Sequence, residues 1–125
     1  MTLAQERESI DREHAEITSI VAQIRSAGDA QDFALTKRLL LALQAIEEMH
    51  YASEDALMRS AGLDMPVGHQ AAHAQLIDTL RSINLTIIVE NLRAVSPRIT
   101  AHLESALEHM HKSDEELWAA LDEAR

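Results

Sequence analysis

The chain has 125 residues, 46% of them apolar and 26% charged, with only 3 Gly and 2 Pro. That length and balance suit one domain around one buried core, and so few turn formers argue against an all-β fold. Its 21 acids against 11 bases leave a formal charge of −10, which excludes partners held through phosphate neutralisation, whether nucleic acid or an anionic membrane surface. The absence of cysteine excludes disulfides, thiolate metal sites and iron–sulfur clusters. The opening MTLAQERESI has no basic stretch followed by an apolar run, so no signal peptide is expected. No apolar run approaches the ~20 residues of a membrane-spanning helix. A cytoplasmic location is expected.

The periodicity predicts four helices. The first covers about residues 3–27, with Ile10, His14, Ile17, Val21 and Ile24 alternating by four and three as in a bundle seam. Gly28 is expected just past its end, and Asp29 or Asp32 can cap the second helix. The second helix turns Leu39, Leu43, Ile46, His50, Glu54 and Leu57 inward and stops at Gly62. Pro66 is expected in the first turn of the third helix, which carries His69, His73, Leu76, Leu80, Ile83 and Ile87. The β-branched stretch Asn84 to Val89 leaves that helix ending near Ile83 or near Arg93. Ser96-Pro97 reads as the N-cap and first residue of the fourth helix, with Ile99, Leu103, Ala106, Met110 and Leu117 inward. Four helices of similar length with short connections predict an all-α, up-down-up-down four-helix bundle, as one domain over residues 1–125.

Within that bundle, seven chemically distinctive residues fall at one level. Two residues of an antiparallel hairpin share a height when they are equally far from its turn. His50 and His73 are centred on position 61.5, as are Glu54 and His69, where Gly62 places a turn. His14 and His50 are centred on 32, and His73 and His109 on 91, each near a predicted connection. A turn misplaced by two residues shifts a level by only ~3 Å, so three independent turns agree. His14 to His50 and His73 to His109 are both 36 residues apart, which suggests two similar hairpins related by a pseudo-twofold axis. Asp114 lies five residues beyond His109, ~140° round a regular helix, so a π-bulge or overstretched turn between them is expected to bring it inward.

Five imidazoles and two carboxylates at one level are a set able to hold two metal ions. One buried histidine is usually a core residue with a satisfied hydrogen bond. The i, i+4 pair His69-x-x-x-His73 shares a helix face and is a better metal candidate, and His50-x-x-x-Glu54 repeats the geometry with a carboxylate. As mere structure the full set makes little sense, because each unpaired buried polar group costs roughly a few kcal/mol. His111, on the opposite side of its helix from His109, is expected in solvent; His102, two turns from His109 on a similar face, is expected semi-exposed, with a supporting or entry role for the site as the alternative. Glu47-x-x-His50 and Glu108-x-x-His111 have the spacing of di-iron carboxylate bundles, but that scheme needs an inward Glu from every helix, and the third has none before Glu90.

The segments Ile10-Asp11-Arg12-Glu13-His14, His50-Tyr51-Ala52-Ser53-Glu54, His69-x-x-x-His73 and His109-x-x-x-x-Asp114 resemble the hemerythrin family in its bacterial form, over about residues 10–118. The resemblance implies a non-haem di-iron centre, oxo- or hydroxo-bridged, that binds O2 or another small diatomic or anionic ligand. It implies that His69, His73 and His109 saturate one iron, that His14 and His50 hold the other with one position open, and that Glu54 and Asp114 bridge the two. The chain is expected to lack the family's Trp-bearing N-terminal arm, and it departs from the family in having Tyr51 where Phe is usual and Ser105, Ala106 and Met110 where Trp, Leu and Ile are usual. A smaller, more polar pocket should shorten the life of the oxygenated state.

Three functions are compatible with such a site: an O2 carrier, store or sensor; an enzyme acting on peroxide or nitric oxide; and a metal-handling module without O2 chemistry. Iron is what the resemblance implies, and manganese or zinc suit the same ligands. The acidic surface offers no evident seam for partners, so a monomer or weak homo-oligomer is expected.

Overall fold

In the computed structural model the described residues form four helices, α1 (Leu3–Asp29), α2 (Phe33–Ser60), α3 (His69–Val89) and α4 (Leu92–Glu123). The structure describes residues 2–65, 68–89 and 92–123, and for residues 3, 88, 89, 92–95, 113 and 114 the backbone alone. Each helix packs on its neighbours in chain order, and α4 returns to α1, which closes the up-down-up-down bundle. Among the described residues no helix is long and apolar enough to cross a membrane.

Local chemistry sets the helix ends. Thr2 accepts from the Gln5 N–H while the Gln5 side chain accepts from the Thr2 N–H, a reciprocal cap for α1. Asp32 caps α2 through the Leu35 N–H at 3.1 Å. α2 ends as expected at Gly62, whose φ of 71° allows its N–H to reach Arg59 while the Leu63 N–H reaches Met58. Gly28, expected beyond α1, instead lies inside it. The same closing pair of bonds runs from Gln31 to Gly28 and from Asp32 to Ala27, so the left-handed residue is Gln31, at φ 57°. The reason is Asp32: as the cap of α2 it fixes where the chain must reverse, and α1 continues until it gets there.

One more boundary and one local feature differ from expectation. Ser96-Pro97 does not open the fourth helix, because α4 starts at Leu92 and Pro97 lies inside it. Leu92, Arg93 and Ala94 are good helix formers, and a proline this near the N-terminus removes a single backbone bond. The bulge expected between His109 and Asp114 is absent, since α4 is α-helical throughout that stretch. α3 continues to Val89 despite its β-branched end, because Ile83 and Ile87 are buried against the core. The expectation for Pro66 falls outside the described residues.

The core has two apolar parts. The larger gathers Ile17, Val21, Leu40, Leu43, Leu80 and Leu103, among others; the smaller gathers Ile10, Leu57, Met58, Leu117 and Leu121. Along α1 the order is Ile10, His14, Ile17, and along α2 Leu43, His50, Glu54, Leu57. The polar residues therefore form a layer with apolar packing above and below.

Candidate metal centre

Helix α1 brings His14 to this layer, α2 His50 and Glu54, α3 His69 and His73, and α4 His109. Glu54 is fully buried at the middle. Its Oε1 lies 2.8 Å from His50 Nε2 and 3.7 Å from His14 Nε2. Its Oε2 lies 3.1 Å from His73 Nε2 and 3.3 Å from His69 Nε2. Each carboxylate oxygen thus faces its own pair of imidazoles. Among the described residues two groups could hold a cation, Glu54 with His69, His73 and His109, and Glu54 with His14 and His50; within each, the ligand atoms lie within 4.8 Å of one another.

The donor set fits a metal better than a hydrogen-bond network. The Nε2 atoms of His14 and His50 face each other at 2.9 Å, and at most one can carry a proton there. Two ligand atoms at right angles on an ion with bonds of ~2.1 Å stand ~3 Å apart, which is the separation seen. His109 Nε2 is buried without a hydrogen-bond partner, and His73 Nε2 lacks an aligned one although Glu54 is close. Buried lone pairs left over at one point are costly unless a cation collects them.

Protonation follows the same logic. Burial pushes the Glu54 carboxyl up, but the surrounding imidazoles of His14, His50, His69 and His73 outweigh it and hold the group well below the usual carboxylate range. Burial, with His73 and His69 beside it, pushes His109 down to about 4. His69 is opposed by burial, yet the hydrogen bond and charge of Glu54, then those of Glu116, raise it. An ionised carboxylate and a neutral imidazole are the forms that bind metal.

The family model for the hemerythrin HHE cation-binding domain matches residues 6–121. The chain belongs to the hemerythrin family. No curated protein and no solved structure matches it. The backbone of Asp114, the seventh residue picked out from sequence, lies within α4, and its side chain is outside the described residues.

Around the ligand layer of this hemerythrin-family protein stand residues that sequence spacing did not single out. Glu13, buried beside His14, places Oε1 3.6 Å from His50 Nδ1, and neither atom has another partner. Glu116, half exposed, places Oε2 3.5 Å from His69 Nδ1. Such carboxylates aim an imidazole by holding its far nitrogen. Tyr51 stacks on His73 with ring centres 4.0 Å apart and meets His109 edge-on at 5.8 Å. Burial, then the charges of Glu47 and Glu54, raise its phenol, so the proton stays on. Chain adjacency to a ligand was the available signal for Glu13 and Tyr51.

His111 is solvated as expected and pairs with Glu115 at 3.6 Å. His102 is not semi-exposed; it is buried, with Nε2 3.3 Å from both oxygens of fully buried Glu47. The seam of α2 is the reason. It runs through Leu40, Leu43, Glu47, His50, Glu54 and Leu57, which leaves Leu39 and Ile46 at its flanks and draws Glu47 in. A cleft of about 590 Å³ between α3 and α4 reaches His69, His109 and His102 past the small side chains of Ala72, Ala101 and Ser105.

Proposed function

We propose that this protein is a cytoplasmic, single-domain non-haem di-iron protein that binds O2 reversibly, to carry, store or sense it. The observation that carries the reading is Glu54, whose two oxygens face two separate sets of imidazoles. In this reading His69, His73 and His109 would hold one iron, His14 and His50 the other with a position left open, and Glu54 would serve both, with Asp114 completing the set by its family position. An oxo- or hydroxo-bridged iron pair held there would supply the electrons for reversible O2 binding. Glu13 and Glu116 aim the imidazoles of His50 and His69. Tyr51 and the apolar packing above and below shield the layer except on its α3–α4 side, where the cleft opens.

The test is to reduce the protein without air, admit O2, and follow visible absorption. A band that appears with O2 and vanishes on evacuation supports the carrier. Immediate conversion to the oxidised form, with turnover of peroxide and a reductant, overturns it in favour of an enzyme on the same site. Tightly bound metal with no optical response points instead to metal handling. The open α3–α4 cleft favours the enzyme as second reading, because it exposes His69 and His109 to small molecules. Ser105 lines that cleft, whereas Ala106 is buried away from it. Ser105→Leu should therefore slow autoxidation, measured as decay of the oxygenated band. An unchanged or faster decay would count against a role for the cleft in losing bound O2.

A further inference from the structure

Helix α2 has a second ordered face, turned away from His50 and Glu54. Its exposed residues from Leu41 to Ala56 are Leu41, Ala42, Ala45, Met49, Ala52 and Ala56, every one of them apolar. Ala42, Ala45, Met49, Ala52 and Ala56 step by three and four, the period of a seam between two helices. The buried seam of α2 is a different set of residues, packed into its own bundle. Large side chains extend the outer face. Leu41 is 58% exposed and Met49 52%, and Leu85 joins from α3 at 66%. The side chain of Asn84 donates to the Leu40 carbonyl at 3.3 Å and to Gln44 Oε1 at 2.8 Å, which holds its neighbour Leu85 level with Leu41.

Charge separates this face from the rest of the surface. Exposed acids stand on α1, at Glu8, Asp11 and Glu16, and on α4, at Glu104, Glu108 and Glu115. The outer face of α2 exposes none between Leu41 and Ala56. Glu48, at its edge, is partly buried and neutralised by Arg81 at 2.6 Å. Two copies that each carry −10 repel one another through α1 and α4, so the uncharged face is where they can touch. A basic partner would be drawn to α1 and α4 instead, and an acidic one would be repelled.

We propose that this face pairs with the same face of a second copy, α2 against α2 and antiparallel, about a twofold axis beside Met49. Such an interface must be self-complementary, and this one is. Ala42 and Ala56 each lie seven residues from Met49, so reversal about Met49 brings Ala42 level with the second copy's Ala56. Ala45 comes within one residue of the level of the second copy's Ala52. Leu41 and Leu85 arrive beside the second copy's Ala56, large side chains over a small one, and the twofold axis repeats this at the other end. Alanines along the middle let the two helix axes approach to about 8 Å. The seam from Leu41 to Ala56 is ~22 Å long, at the low end for a stable interface, so pairing should depend on concentration.

Sedimentation equilibrium on the metal-loaded protein tests this. The weight-average mass should rise with concentration from 13.9 kDa toward twice that value. Added salt screens the like charge and should tighten the pair. Ala45→Glu, an exposed change, should hold the protein at the monomer mass with helix content and metal content unchanged. The chain has no cysteine, so single cysteines report the register. A short bismaleimide should join Met49→Cys chains to one another, and Ala42→Cys to Ala56→Cys in a mixture. It should join neither Ala42→Cys to itself, because those two sites are ~21 Å apart, nor Glu16→Cys on the acidic side. A monomer mass at millimolar protein, a dimer that survives Ala45→Glu or loosens with salt, or cross-linking of Glu16→Cys as fast as Met49→Cys would overturn the proposal.

Discussion

Glu54 is the residue whose loss should matter most, since every described histidine pair at the centre leans on one of its oxygens. Glu54→Gln keeps the shape and removes the charge, and metal content by elemental analysis should fall by half or more; His73→Ala should empty one group and spare the other. Glu13 touches no proposed ion, and its carboxylate only aims His50. Glu13→Gln should therefore weaken metal affinity by roughly 10–100-fold without unfolding the chain, measured by competition with a chelator. The metal-free protein should also carry a pH signature. His109 is held at about 4, below its ordinary 6.5, so the unfolded chain takes up that proton first and stability should drop as pH falls from 6.5 to 4. Glu54, held low as well, adds a loss as acid reaches the carboxylate range. His69 works the other way, because its raised value contributes stability below 6.5 that is lost as pH rises through its folded value. Urea midpoints across this range should fall less steeply on acidification in His109→Gln than in the parent. Equal slopes would mean that His109 is not desolvated.

At the scale of helices, the legible part was the phase of each seam and the less legible part was where each helix stops. Ile10, His14, Ile17, Val21 and Ile24 were all expected inward and all are buried, because a four-three alternation admits one face only. On α2 the expected stripe was displaced by one position at Leu39 and Ile46. Glu47 was weighed only as half of a Glu47-x-x-His50 metal motif, and its partner His102 on another helix makes it a core residue. Ends depend on which of several competing turn residues wins. Gly28 has open space where a Cβ would stand and an ordinary helical neighbourhood, so Gly28→Ala should raise stability by about 1 kcal/mol. Gln31 is in the left-handed region, where a side chain costs about 1 kcal/mol, and Gln31→Gly should recover part of it. Paired urea melts of the two variants check this, and a destabilised Gln31→Gly would show that the reversal is made differently.

For the whole molecule the ligand layer is a local liability inside an otherwise apolar bundle. Leu43, Leu80 and Ile83 are fully buried on one side of it, and Leu57 and Leu117 on the other, so most of the apolar burial that drives folding lies outside the ligand layer. A cation that binds only the folded state nonetheless adds stability by mass action, about 4 kcal/mol at a thousand times its dissociation constant. Thermal melts should therefore shift upward with added metal in the parent and much less in Glu54→Gln. Leu43→Ala, far from the ligands, should cost about 2–5 kcal/mol and lower the melting point with and without metal alike.

Spacing along the chain alone determined that there are four helices, the apolar seams of α1 and α4, and that five histidines and Glu54 meet at one height. Those are questions of period and distance from a turn, and both are countable in one dimension. Only the tertiary structure decided which nitrogen faces which oxygen of Glu54, that Glu47 and His102 meet across the core, and that a cleft opens beside them. Each depends on how far every helix is rotated about its own axis. One residue is worth ~100° of that rotation, so a small error in phase that leaves the height of a side chain nearly unchanged alters what it touches.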